Sequence, residues 1–96
     1  MEEQIKAWKE QYKFIYKIRL GEKDYYFRPL SRKDYLEILS TQSNDPEFDN
    51  DLEVAKRCTL TPFEEGELEN KAGLATVLSE KIMTSSGFDM AEAEAL

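Results

Sequence analysis

Carboxylates are the most numerous side chains in this sequence that could do chemistry. Four of them alternate along residues 45–51, and oxygen ligands at alternate positions are typical of a Ca²⁺-binding loop. Such a loop also needs a glycine at its sharp turn, whereas this segment has Pro46 and Phe48 and no glycine. We therefore interpret the four acids as a solvated helix start, which the helix dipole favours: Asp45, Glu47, Asp49 and Asp51.

Other catalytic chemistries lack their residues. The chain has no histidine, so it cannot form a Ser–His or Cys–His pair or a His-ligated zinc site. Its single cysteine, Cys58, lies on the predicted apolar face of a helix, which favours a buried structural thiol in a reducing compartment. The four glycines are isolated, so no phosphate-binding loop is predicted. The sequence therefore predicts a protein that is not an enzyme and that has no metal and no cofactor.

Charge is divided unevenly along the chain. The formal net charge is −7, but residues 1–36 carry nine basic and six acidic side chains, and residues 37–96 carry four basic and fourteen acidic ones. Basic residues alternate with tyrosines in the first part, as they do in single-strand nucleic-acid platforms. The outer face of a hairpin produces the same pattern, and the acidic remainder would repel a phosphate backbone. No nucleic-acid partner is expected.

Aromatic residues are concentrated in the same first part, which holds eight of the eleven. Tyr and Trp are enriched at the centres of protein interfaces. Two interpretations remain open: two oppositely charged halves that attract each other, or an aromatic surface kept for a partner protein. Phe63, alone in an acidic loop, either fills the core or anchors a partner. The candidate partner-binding residues are Trp8, Tyr12, Tyr26 and Phe63.

The elements that position these residues follow from apolar periodicity. Ile5, Trp8 and Tyr12 share one helical face, which predicts a helix over residues 2–12. The period then changes to two, which predicts a strand that includes Phe14 and ends at Leu20. A turn over residues 21–24 and a second strand over residues 25–28 complete a hairpin, whose edges need helices or another chain to cover them.

A capping signal starts the next helix. Ser31 and Asp34 have the spacing of a capping box, and Leu30 and Tyr35 have that of a hydrophobic staple, which together predict a helix over residues 32–41. Asp45-Pro46 resembles an N-cap followed by proline, which predicts a helix from there to residue 59.

The last predicted helix covers residues 72–85, after a loop over residues 61–70. Ser86-Gly87-Phe88 is typical of a Schellman ending. The predicted fold is α+β, with an N-terminal helix, one antiparallel β-hairpin and about three further helices in a single small domain. That domain divides into an aromatic, mildly basic segment (1–36), an acidic helical segment (37–88) and a frayed tail (89–96). No apolar run approaches the roughly 20 residues of a membrane span.

Several short motifs resemble those of a known family. Residues 8–39 contain, in order, W…Y…KIRL, a glycine turn and YYFRPLSRKDYLEIL, in which a YFRPLSRKDY segment follows a hairpin. A helix with a cysteine then ends in RCTLTP (57–62), and KAGLATVLSEKIMTSSGF (71–88) joins an AG loop to a helix ending in SGF. In this order they resemble the tail assembly chaperones and baseplate-hub assembly proteins of tailed bacteriophages. The resemblance implies no individual site residues.

The resemblance implies a non-catalytic function in virion assembly. We expect a chaperone or adaptor that binds a phage tail, tape-measure or baseplate protein in the host bacterial cytoplasm. One alternative is a minor structural subunit of the tail or baseplate, which would be found in the virion. Another is an acidic inhibitor of a host enzyme.

Overall fold

Seven helices and strands follow one another along residues 2–88, and the computed structural model also describes residues 93 and 95–96. They are α1 (Glu2–Tyr12), β1 (Tyr16–Leu20), β2 (Lys23–Phe27), α2 (Arg32–Asn44), α3 (Asn50–Cys58), α4 (Glu67–Asn70) and α5 (Ala72–Ser85). This small α+β arrangement confirms the predicted fold class, with α4 as a short additional helix in the predicted loop. The predicted tail over 89–96 lies almost wholly outside the described residues. None of the described helices is long and apolar enough to cross a membrane.

The hairpin is tighter than predicted. β1 and β2 pair antiparallel, and the closing pair is Leu20 opposite Lys23. Gly21 and Glu22 alone connect the strands, and Gly21 has a φ of +65°. A positive φ at the first central residue and not at the second, Glu22, is the mark of a type II′ turn, whose twist matches that of the strands. The second strand therefore starts two residues earlier than predicted.

The two edges of the hairpin differ in their hydrogen-bond partners. The outer edge of β2 is covered by residues 58–61: Arg28 N–H donates to the Cys58 carbonyl (3.0 Å), and Leu60 N–H donates to the Tyr26 carbonyl (2.7 Å). The Thr61 hydroxyl accepts from Tyr26 N–H at 2.8 Å. Within the described residues, β1 has β2 as its only strand partner.

The core lies between one face of the hairpin and the helices α3 and α5, which make the most extensive helix–helix contact of the described chain. Cys58 is fully buried there, as predicted. Burial raises the pKa of its thiol to about 11, so it stays protonated at neutral pH. The buried apolar residues are Tyr25, Phe27, Leu30, Ile38, Val54, Ala55, Cys58, Leu74, Ala75, Leu78 and Ile82.

Two helix boundaries differ from the prediction. The capping box between Ser31 and Asp34 is present, but α2 continues past residue 41 to Asn44. The next helix does not start at Asp45-Pro46, because the Asp45 carboxylate accepts from Glu47 N–H at 3.0 Å and makes a local turn instead. Asp49 is the N-cap of α3, and its carboxylate accepts from the backbone N–H of Leu52.

The end of α5 is as predicted. Phe88 N–H donates to the Met83 carbonyl at 3.0 Å, and Gly87 N–H donates to the Thr84 carbonyl at 3.2 Å. Gly87 has a φ of +95°. These are the two hydrogen bonds of a Schellman motif, and they fix the direction in which the chain leaves the helix.

Candidate protein-binding groove

The structure separates the four candidate binding residues. Tyr26 alternates with the buried Tyr25 and Phe27, so it points to the outer face of the hairpin. Trp8 lies over it, with ring centroids 5.8 Å apart, and both side chains are half-buried. Trp8 and Tyr26 therefore attach α1 to the outer face of the hairpin, where part of each ring stays exposed.

The other two candidates lie on different sides of the molecule. Tyr12 is half-buried under the Arg28 guanidinium, which is 5.3 Å from its ring centroid. Phe63 packs on the core beside Tyr25, with centroids 6.1 Å apart. The structure thus places Phe63 as a core contact and brings Tyr12 alone of the four to the groove described next.

A strained residue ends α1. Lys13 has a φ of +70°, a left-handed conformation that glycine adopts far more easily. Its N–H still donates to the Lys9 carbonyl at 2.9 Å, so it closes the helix where glycine or asparagine is usual. The reversal carries Phe14 out of the strand predicted for it, and this side chain is 55% exposed.

Phe14 borders a groove formed by two adjoining pockets of about 290 and 160 Å³, which share Leu30 and Ser31. Phe88 forms the opposite end, 43% exposed and packed on Tyr35 with ring centroids 5.0 Å apart. We call this surface the aromatic groove and define it by Tyr12, Phe14, Leu30, Arg32, Tyr35 and Phe88. Exposed apolar surface of this kind usually marks an interaction site.

Basic groups lie at both ends of the aromatic groove. The Arg32 guanidinium is 5.3 Å from the centroid of Tyr35, and Lys13 Nζ is 5.5 Å from that of Phe14. Neither cation has a carboxylate partner among the described residues. Arg28, which also lines the groove, is different because it donates to Asp34 at 2.8 Å and to the Arg57 carbonyl at 3.1 Å.

A second network holds the opposite side of the molecule together. Glu67 is buried, and its carboxylate accepts hydrogen bonds from the Tyr25 hydroxyl, from Lys23 Nζ (3.0 Å) and from Glu64 N–H (2.9 Å). The hydrogen bond from Tyr25, supported by the others, lowers the pKa of Glu67 to about 2. Burial and the same contact raise the pKa of Tyr25 to about 12. The network joins α4 to the hairpin.

The remaining perturbed carboxylate also has a structural role. Burial alone would raise the pKa of Asp34, but hydrogen bonds from Arg28 and Ser31 lower it to about 2. Arg57 bridges Asp34, at 3.4 Å, to Glu37, at 2.6 Å. This network ties the start of α2 to the end of α3. Within the described residues no cluster of three or more acidic or sulfur side chains could hold a metal ion.

A larger apolar pocket of about 400 Å³ lies between the hairpin turn and the start of α5, lined in part by Leu20, Tyr25 and Leu74. Of its large side chains, Tyr25 (2% exposed) and Leu74 are buried in the core, and Leu20 and Val77 are half-buried. It offers a single cation, Lys71, and no exposed aromatic ring. The aromatic groove therefore has the composition of an interaction site, and the larger pocket does not.

Sequence reasoning missed most of the aromatic groove. The sequence patterns predict a strand position for Phe14, a helix ending for Phe88 and a hydrophobic staple for Tyr35. Each assignment used a local pattern, whereas the groove joins residues far apart in the chain. No sequence signal marks the left-handed turn at Lys13, because lysine is rare in that conformation.

Comparison with protein-family models, curated protein sequences and solved structures gave no match to this chain.

Proposed function

We propose that this protein is a non-catalytic chaperone or adaptor for the assembly of a bacteriophage tail. It binds a tail, tape-measure or baseplate-hub protein in the host cytoplasm before that protein joins the virion. The family assignment rests on the motif order over residues 8–39, 57–62 and 71–88. The single structural observation that supports a binding role is the aromatic groove, in which Phe14 is 55% exposed and Phe88 is 43% exposed.

The groove suits the needs of an assembly chaperone. A client that waits for assembly has apolar surface that must be kept from aggregating, and an aromatic groove can cover part of a helix or an extended segment. The net charge of −7 would keep the complex soluble. The strongly perturbed carboxylates, Asp34 and Glu67, are both engaged in hydrogen bonds that hold the fold, so they are poorly placed for acid–base chemistry.

The test is co-expression of the chain with individual tail, tape-measure and baseplate proteins, followed by affinity capture. We expect one of these proteins to become soluble and to copurify with the wild-type chain. Phe14→Ser should reduce the capture strongly. Leu36→Ser should not, because Leu36 is similarly exposed (51%) but does not line the groove. Failure to capture any tail or baseplate component would contradict the proposal.

Mass spectrometry of purified virions separates the alternatives. A chaperone is absent from mature virions, whereas a minor structural subunit is present in them. An inhibitor of a host enzyme would ignore tail proteins and bind a host protein through the acidic segment, with affinity that falls steeply as salt rises.

A further inference from the structure

We propose that the aromatic groove binds a partner segment that combines apolar side chains with carboxylates. The apolar groups would enter between Phe14 and Phe88, and the carboxylates would pair with Arg32 and Lys13 at the two ends. This inference deepens the proposed function, since it states the chemistry of the segment that the client presents. It does not depend on which protein carries that segment.

The backbone conformation of Lys13 and the exposure of Phe14 both support the apolar part of the proposed binding segment. Lys13 is held in a left-handed conformation that costs a non-glycine residue about 1–2 kcal/mol. Its consequence is that Phe14, the next residue, leaves the hairpin and remains 55% exposed. Lys13 also closes α1 through its N–H, and strained backbone conformations of this kind cluster at functional sites.

The acidic half follows from the distribution of charge. Arg28 is already neutralised by Asp34 and by a backbone carbonyl, so it offers no free charge to a ligand. Arg32 and Lys13 each lie over an aromatic ring and have no carboxylate partner among the described residues. A guanidinium stacked on a ring still presents its N–H edge, which suits a bidentate carboxylate.

The same charges argue against a second copy of this chain as the occupant. A symmetric dimer joined groove to groove would place Arg32 and Lys13 of one copy near the same cations of the other. That arrangement brings like charges together in a partly desolvated interface and is disfavoured. A segment of another protein with carboxylates beside apolar side chains has the complementary pattern.

The test is selection of displayed random peptides on the full-length chain, with the enriched peptides then titrated by fluorescence anisotropy. We expect the enriched sequences to place Asp or Glu within a few residues of aromatic or aliphatic side chains. Phe14→Ser and Arg32→Glu should each weaken their binding about tenfold or more, as for interface hot spots, while Leu36→Ser leaves it unchanged. Binding should also weaken as salt is raised.

Several results would overturn the inference. One is no enrichment, and another is enrichment of basic or uncharged peptides. Equal binding by the Phe14→Ser and Leu36→Ser variants would place the site elsewhere. A chain that sediments as a dimer and that Phe14→Ser dissociates would make a second copy the occupant.

Either proposal can fail while the other holds, and the experiments distinguish the two cases. Peptide selection that succeeds while no tail protein is captured would support the groove chemistry and reject the phage-assembly function. Capture of a tail protein that is unaffected by Phe14→Ser would support the function and reject the groove.

Discussion

Tyr25 and Phe14 belong to the same aromatic segment of the chain, yet Tyr25 is 2% exposed and Phe14 is 55% exposed. Tyr25 is enclosed by α5, by Phe63 and by the Glu67 carboxylate, which accepts a hydrogen bond from the Tyr25 hydroxyl. Phe14 has its cation contact with Lys13 and faces the groove. We call the region formed by Tyr25, Phe63, Glu67 and the buried face of α5 the closed side, and we compare it with the aromatic groove.

The difference between the two regions comes from the backbone and from long-range partners, since both are rich in aromatic rings. On the closed side, the buried Glu67 carboxylate is satisfied by hydrogen bonds from Tyr25 and Lys23 of the hairpin and from a neighbouring backbone N–H. In the groove, Arg32 and Lys13 lack carboxylate partners among the described residues, and Lys13 has a strained backbone conformation. The closed side should therefore supply stability, and the groove should supply binding.

The largest expected effect comes from opening a cavity on the closed side. Leu78 on α5 is fully buried. Leu78→Ala should lower the free energy of unfolding by about 3–4 kcal/mol, because it removes buried methyl groups and leaves a void. Urea unfolding followed by circular dichroism measures this. Leu36→Ala, on the exposed face of α2, is the control and should cost less than about 0.5 kcal/mol. Similar losses for the two variants would contradict the assignment of the core.

The next effect concerns the buried carboxylate. Glu67→Gln should lower stability at neutral pH by about 2–3 kcal/mol, because Lys23 and Tyr25 lose a charged acceptor. The folded pKa of about 2 lies below the ordinary value of 4.5, so the stabilisation is complete above about pH 5 and is lost as pH falls toward 2. The variant should therefore lose less stability over that range than the wild-type chain.

The matched control is Glu65→Gln, which alters an exposed acid in the same loop. It should change neither the stability nor its acid dependence measurably. The Tyr25 pKa of about 12 predicts a second pH range in which the wild-type chain loses stability, as pH rises from 10 toward 12. If Glu67→Gln lost stability at acid pH as steeply as the wild type, Glu67 would not be the group that links stability to pH.

A smaller effect is expected where α1 meets the hairpin. Trp8→Ala should cost about 1–2 kcal/mol, because Trp8 is half-buried and loses its contact with Tyr26. Unfolding should remain cooperative, since α1 contributes no fully buried side chain. Lys9→Ala on the exposed face of α1 should be nearly neutral. Loss of cooperative unfolding in Trp8→Ala would mean that Trp8 belongs to the core.

The smallest effect on stability has the opposite sign. Lys13→Gly should raise the free energy of unfolding by about 0.5–1 kcal/mol, because glycine adopts the left-handed conformation without strain. Lys9→Gly, four residues earlier and inside the helix, should lower it by about 1 kcal/mol. Thermal unfolding of the two variants measures both. A loss of stability in Lys13→Gly would show that the turn stores no strain.

The parts of the fold that depend on local signals were predicted from the sequence. Residues a few positions apart determine each of these features: the bounds of α1 and α5, the capping box of α2 and the Schellman ending at Gly87. The predicted start of α3 was wrong, and the reason is also a local hydrogen bond. Asp45 can cap a helix or make a turn, and the turn leaves Phe48 free to pack on the core.

The parts that depend on distant partners could not be predicted. Glu67 looks like one of four equivalent acids in a loop, and only its contacts with Lys23 and Tyr25, more than forty positions away, make it a buried anchor. The aromatic groove is similar, because it joins the end of α1 to the start of α2 and to Phe88. A sequence pattern shows which residues are apolar, and the tertiary fold decides which of them remain exposed.

The central claim is that the aromatic groove binds a partner and contributes little to the fold. Its most direct test is the capture of a co-expressed tail or baseplate protein by Phe14→Ser, compared with the wild-type chain and Leu36→Ser, at equal amounts of folded protein. Our account predicts that the wild type and Leu36→Ser capture the client equally and that Phe14→Ser, with unchanged unfolding, loses most of the capture. Equal capture by all three, or loss of capture only through unfolding of Phe14→Ser, would contradict it.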